Sequence, residues 1–277
     1  MSATVDTTGE LAAFLRTRRE RLVPGDVGLP VRGRARRTPG LRREEVAELA
    51  GVSVDYVVRL EQGRGLRPSP EVLDALAGAL RLTEDERLYL FDLVRQRPGR
   101  LRQKPDQTGP LAQLVHDLRP LPAMVFNHRN DILAWNPELA ALLDVDLDEL
   151  PDEQRNGLWL CLLYPPMRTF YLDREELIRE SIADLRAEWA AHPDDTALAE
   201  LIETFRARSD EFARMWELRD VQVRGRGLKR MLHPRGGRVD VQFEVLCSLQ
   251  DPDQRLVIYR AADEDSQSNL DSIVEGT

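Results

Sequence analysis

The chain has 277 residues, enough for two domains of roughly 100–200 residues each, and its 31% charged and 42% hydrophobic residues make an ordinary globular balance. Its longest strictly apolar run, Leu158–Tyr164, is only seven residues, which excludes a membrane-spanning helix of about 20. The net charge of −9 is unevenly spread: residues 1–104 carry 20 Lys/Arg against 15 Asp/Glu, a net of +5, and residues 105–277 a net of −14, so only the head is suited to a polyanion partner.

Met1–Asp6 has neither a basic nor an apolar signal segment, so export is not expected. Leu11, Phe14, Leu15 and Leu22 give a first helix its apolar face. Residues 16–43 hold ten arginines against Glu20 and Asp26 alone, either a polyanion-binding patch or a solvated surface. Val46, Leu49 and Ala50 mark a second short helix, and Val57 and Leu60 a third. Ser69, with Pro70 at the first helical position, starts a fourth helix through Val72, Leu73, Leu76, Ala77 and Leu80. Thr83 with Glu86 is a capping box opening a fifth helix through Leu90 and Leu93. Residues 9–94 thus read as an all-α domain, and 95–110, with three prolines and two glycines, as a linker.

Past the linker the pattern changes. Met124–Asn127 and Ile132–Trp135 read as strands joined by the turn-prone His128–Asp131. Helical spacing follows in Ile178, Ile182, Leu185 and Trp189, then in Leu198, Leu201, Ile202 and Phe205. The period then drops to two, with Val239, Val241, Phe243, Val245, Cys247 and Leu249 alternating with polar residues. Leu256–Tyr259 follows a turn. Residues 111–262 are therefore expected to form an α+β domain with a curved antiparallel sheet, and 263–277 a loose acidic tail. Cys161 and Cys247 make no disulfide framework and fit a reducing cytoplasm.

Within the head, Arg42–Gly63 reads RREEVAELAGVSVDYVVRLEQG. Gly51 supplies the left-handed residue of a tight helix–helix turn, and Ser53 caps the next helix. Ala47 is small where the two helices cross, and Val52, Val57 and Leu60 face the core. Val54, Asp55, Tyr56, Val58 and Arg59 are left outside. This is a helix-turn-helix pattern, which places its second helix in the major groove of double-stranded DNA; a plain αα-corner is the alternative. Arg43 is positioned for a phosphate or a base edge, and Arg59 for phosphate or guanine. Tyr56 suits phosphate or sugar, while Asp55 improves the helix N-terminus or accepts from cytosine. Arg34, Arg36 and Arg37 are placed for the backbone, and Ser53 and Val54 complete the reading end.

The string Arg36–Arg64 resembles the Xre-type helix-turn-helix regulators of the MmyB-like subgroup. The resemblance continues in Pro122–Val125, Ala134-Trp135-Asn136, Arg155-Asn156, Pro166 with Arg168, Phe212 with Trp216, His233-Pro234 and Asp253–Leu256. It implies a transcription factor whose PAS-like C-terminal domain senses an apolar small molecule, with fatty acids the implied class. Many Xre-type proteins carry a Thr or Ser cap where this chain has Arg42, and often a second Tyr where it has Val57. Phe126, Trp135, Trp159, Phe170, Phe212 and Trp216 are candidates to line the pocket or to be ordinary core. Arg155, Arg168 and His233 are candidates for a carboxylate.

Catalysis and metal binding find no motif. The four histidines are scattered, and there is no H-E-x-x-H, G-x-S-x-G or phosphate-cradling loop. No cofactor is expected. The expectation is a cytoplasmic regulator, homodimeric on a two-fold site, that is not an enzyme. Its rivals are a small-molecule enzyme tethered to DNA and a helical protein-interaction module.

Overall fold

The computed structural model describes residues 6–30, 40–64, 67–94, 109–249 and 251–275. They fall into two compact units. The first comprises the described residues of Met1–Gly99 with Arg186–Ile202 and Trp216–Gln222; the second comprises those of Arg100–Leu185, Glu203–Met215 and Val223–Thr277.

The first unit begins with α1 (Thr7–Arg21), started by the Asp6 carboxylate, which accepts from the Gly9 amide at 2.9 Å. Then come α2 (Arg43–Ala50), α3 (Val54–Glu61), α4 (Pro70–Ala79) and α5 (Glu84–Val94). The capping box before α5 is formed in both directions, Thr83 N–H to Glu86 at 2.9 Å and Glu86 N–H to Thr83 Oγ1 at 3.3 Å. Phe14, Leu41, Val46, Leu73, Leu76 and Leu90 make the core, with Tyr89 edge-on to Phe14 at 5.0 Å. Two segments from much later in the chain join it, which the expected 9–94 boundary did not include. Ala190 and Val221 are buried in this core. Glu10 accepts from Tyr89 Oη at 2.9 Å and from Arg186 Nη1 at 2.6 Å, and the Arg186 guanidinium lies over the Trp216 ring at 3.9 Å. A buried guanidinium needs such a carboxylate and a polarisable ring to offset its lost hydration.

In the second unit, α6 (Pro110–Asp117) precedes β1 (Ala123–Asn127), β2 (Ile132–Trp135), α7 (Pro137–Leu143) and α8 (Gly157–Leu163). Three further helices follow, α9 (Arg174–Ala191), α10 (Thr196–Arg208) and α11 (Asp210–Glu217), parts of which belong to the first unit. The chain then forms β3 (Arg226–His233), β4 (Gly237–Cys247), β5 (Gln254–Ala261) and α12 (Glu264–Glu275). The five strands make an open antiparallel sheet in the order β2-β1-β5-β4-β3.

Buried asparagines tie its turns. Asn136 Oδ1 accepts from the Ala123 and Leu139 amides at 3.0 and 3.1 Å, and its Nδ2 donates to the Leu121 carbonyl at 2.8 Å. Asn156 caps α8 through the Leu158 and Trp159 amides and donates to the Arg129 carbonyl at 2.8 Å. Both satisfy backbone groups that burial would otherwise orphan.

Two expectations are corrected here. Strand β3 was not foreseen. The loose tail at 263–277 is instead largely helix: α12 buries Leu270 and Ile273, and Ser266 Oγ accepts from the Asp240 amide at 3.0 Å. The expected linker lies outside the described residues over 95–108, as do Arg34, Arg36 and Arg37.

Candidate functional site

The turn between α2 and α3 follows from local chemistry. Gly51 has φ of +64°, and its N–H closes on the carbonyls of Ala47 and Glu48, a conformation that a Cβ would strain. Arg42, at the N-cap of α2, offers no side-chain cap, but Glu45 accepts from its N–H at 2.7 Å, which keeps half of a capping box. Ser53 Oγ accepts from the Tyr56 amide at 3.1 Å and starts α3.

Helix α3 buries Val57, Leu60 and Glu61 and turns Ser53, Val54, Asp55 and Arg59 outward, with Tyr56 half-buried. Burial pushes the Tyr56 hydroxyl above its usual range, so it stays a hydrogen-bond donor at neutral pH. The Arg59 guanidinium is exposed and has no hydrogen bond or ion pair among the described residues. Behind α3, Glu61 receives a fork from Arg19, Nε to Oε1 at 2.6 Å and Nη2 to Oε2 at 3.1 Å. Arg43 adds Nε to Oε2 at 2.8 Å. Arg43 therefore braces the motif while its side chain stays 42% exposed, so its outer nitrogens still reach solvent.

The second unit holds a cavity of about 190 Å³ at the β3 edge of the sheet. Its lining includes Tyr171, Lys229 and Phe243, the acids Asp173, Glu176 and Glu180, and Arg224 and Arg230. Arg224 pairs with Glu180 at 2.6 Å and Arg230 with Asp173 at 3.1 Å. Burial pushes the Glu180 carboxyl up; Arg224 and, more weakly, Lys229 pull it back, and neighbouring Glu176 adds to the rise.

Residues 109–272 match the family described as MmyB-like transcription regulator ligand binding domain, and residues 10–90 match a helix-turn-helix domain family. The chain belongs to the MmyB-like transcription regulators. No curated protein matches it. The MmyB-like regulator therefore joins a helix-turn-helix DNA-binding domain to a ligand-binding domain, and none of its described helices is long and apolar enough to cross a membrane.

In this regulator the side chains named from the sequence as ligand candidates are dispersed. Phe126 carries the Arg255 guanidinium at 5.9 Å, and Trp135 carries that of Arg155 at 5.6 Å. Trp159 is buried beside Tyr164, Phe212 packs on Phe205 at 5.3 Å, and Trp216 belongs to the first unit with Arg186. Arg168 is exposed on a 3-10 turn. Phe170 packs edge-on against Tyr171 at 5.1 Å, and none of these candidates lines the cavity.

The other anchor candidates are occupied. Arg155 is paired with Asp152. His233 Nε2 meets the Ala141 carbonyl at 3.0 Å, and its Nδ1 accepts from Gly236 N–H at 3.0 Å. Lys229, in the unforeseen β3, was missed. A signal existed: it is one of only two lysines among 39 basic residues, and it alternates with Gly227, Met231 and His233 along one side of the strand.

Proposed function

We propose that the MmyB-like regulator binds DNA sequence-specifically as a homodimer and that a small apolar acid of the fatty-acid class sets its DNA affinity. Helix α3 enters the major groove in this reading. Arg59 contacts phosphate or guanine, Tyr56 phosphate or sugar, and Ser53, Val54 and Asp55 lie at the end of the helix nearest the bases. Arg43 reaches a phosphate with the nitrogens that Glu61 does not hold. Arg36 and Arg37 supply further backbone contacts, which position without specifying.

A dimer of such heads fits two half-sites about 34–36 Å apart. The ligand acts by differential affinity for the free and DNA-bound arrangements, since equal affinity shifts nothing. The protein works in the cytoplasm and turns nothing over. The observation that carries the reading is Arg59, without a partner among the described residues, on the outer side of a helix whose inner side is pinned by Glu61.

The experiment is selection of binding sites from random duplex DNA, followed by anisotropy titration of wild type and of Arg59→Ala/Tyr56→Ala. A palindromic consensus that the double variant no longer prefers supports the reading. Equal DNA affinity of the two proteins overturns it in favour of a protein-interaction module.

A further inference from the structure

Lys229 lines the cavity of the second unit with no direct carboxylate partner among the described residues, Glu180 acting on it only at longer range. Its Nζ stands 5.1 Å from the Phe243 ring centroid, 5.2 Å from that of Tyr259 and 6.0 Å from that of Tyr171. It has one hydrogen-bond partner, Tyr259 Oη at 3.2 Å, and no carboxylate within ion-pair distance among the described residues. An ammonium has three N–H donors, so two remain to be used. The other two cations of the wall are already neutralised, Arg224 by Glu180 and Arg230 by Asp173.

We propose that this cavity binds a short-chain carboxylate whose head group is held by Lys229. The carboxylate accepts charge-assisted hydrogen bonds from the two remaining N–H donors of Lys229. A volume of about 190 Å³ is somewhat larger than the roughly 150 Å³ cavity that holds a benzene molecule. That is room for a head group and a few carbons. Leu177 and Phe243 in the lining offer the chain an apolar strip between the paired charges.

An amine fits less well. Asp173 and Glu180 are taken by arginines, Glu176 is hydrogen-bonded to Glu180, and a cation here would be repelled by Lys229. The inference rests on the ligand-sensing reading above and narrows it to a head-group anchor and a chain length.

The test is calorimetric titration of the full chain with hexanoate, 1-hexanol, hexylamine and laurate. Wild type is expected to bind hexanoate at least about tenfold tighter than hexanol or hexylamine. Lys229→Met is expected to lose that preference, with hexanol unchanged, and Lys229→Arg to recover part of it. The wild-type ratio tests the inference even where a variant folds poorly, which circular dichroism reports. Undiminished hexanoate binding by Lys229→Met, or a preference for hexylamine, overturns it. Laurate binding without hexanoate binding overturns it while sparing the ligand-sensing reading. Silence with all four probes overturns it together with the acid ligand proposed above.

Discussion

Arg19 and Glu61 face each other as a two-pronged ion pair in the first unit, with side chains only 6% and 2% exposed. Arg19 also donates to the Leu41 carbonyl at 2.9 Å, and Arg16 to the Glu61 carbonyl at 2.7 Å. The last turn of the reading helix is thus tied to α1 and to the segment entering α2. Removing one partner of a buried pair strands the other, a loss of about 3–5 kcal/mol. Glu61→Ala is expected to lower the urea-unfolding free energy by about that much. Arg43→Ala, half in solvent, should cost no more than about 1 kcal/mol. Equal, small effects in the two urea titrations would show that Glu61 is not the brace of α3.

Arg59 predicts the reverse pattern. It is exposed and without a partner among the described residues, so Arg59→Ala should change stability by less than about 0.5 kcal/mol. DNA affinity should nevertheless fall. If Arg59 reads a guanine, the loss is about 1–3 kcal/mol and is confined to the preferred site; if it meets a phosphate, all sequences weaken and the salt slope drops by about one. With about five phosphates neutralised, the wild-type slope of log K against log salt should lie near −4.5. Anisotropy titrations on specific and random duplexes at several salt concentrations separate the two contacts.

The reading helix was legible because its signals are local. Gly51, Ser53, the Ser69-Pro70 pair and the Thr83–Glu86 box each act within four residues of themselves, and the structure forms each of those caps. The cavity beside β3 was not legible, because β3 reads against the usual code. Its apolar Leu228 and Leu232 are 47% and 51% exposed, while Lys229 and His233 face inward. Nor does anything local announce that Arg186 belongs with Glu10, 176 residues away. A sequence window reports periodicity and capping, not which distant charge a buried guanidinium will meet.

Helix α12 was hidden for a related reason. Only Leu270 and Ile273 are apolar and fully buried in it, and its start depends on Asp263, whose carboxylate accepts from the Ser266 amide at 2.8 Å. Its anchorage is nonetheless real, with Ser266 bonded to β4 and Asn269 Nδ2 donating to the Arg238 carbonyl at 3.0 Å. Ile273→Ala should destabilise the protein by about 2–5 kcal/mol, as large-to-small core substitutions do. A loss below about 0.5 kcal/mol in a urea titration would mean that residues 264–275 contribute nothing to the second unit.

His233 gives the ligand-binding domain a pH dependence of known sign. Its ring is 2% exposed, and the Arg235 and Gly236 amides both point at Nδ1. That arrangement requires a lone pair on Nδ1 and assigns the proton to Nε2, facing the Ala141 carbonyl. Burial lowers its pKa below the ordinary 6.5, against the pull of that carbonyl and of Asp144. The unfolded chain therefore takes up a proton before the folded one does, as the pH falls through about 6.5. The contribution of His233 is complete above that pH and is lost progressively below it, until the folded pKa is reached. Wild type should lose stability between pH 7.5 and pH 5.0. His233→Asn, less stable at pH 7.5 because its amide fits the site imperfectly, should lose less over the same interval. Urea midpoints of the two proteins at the two pH values measure the difference, and an identical decrement in both would assign the pH dependence to other groups.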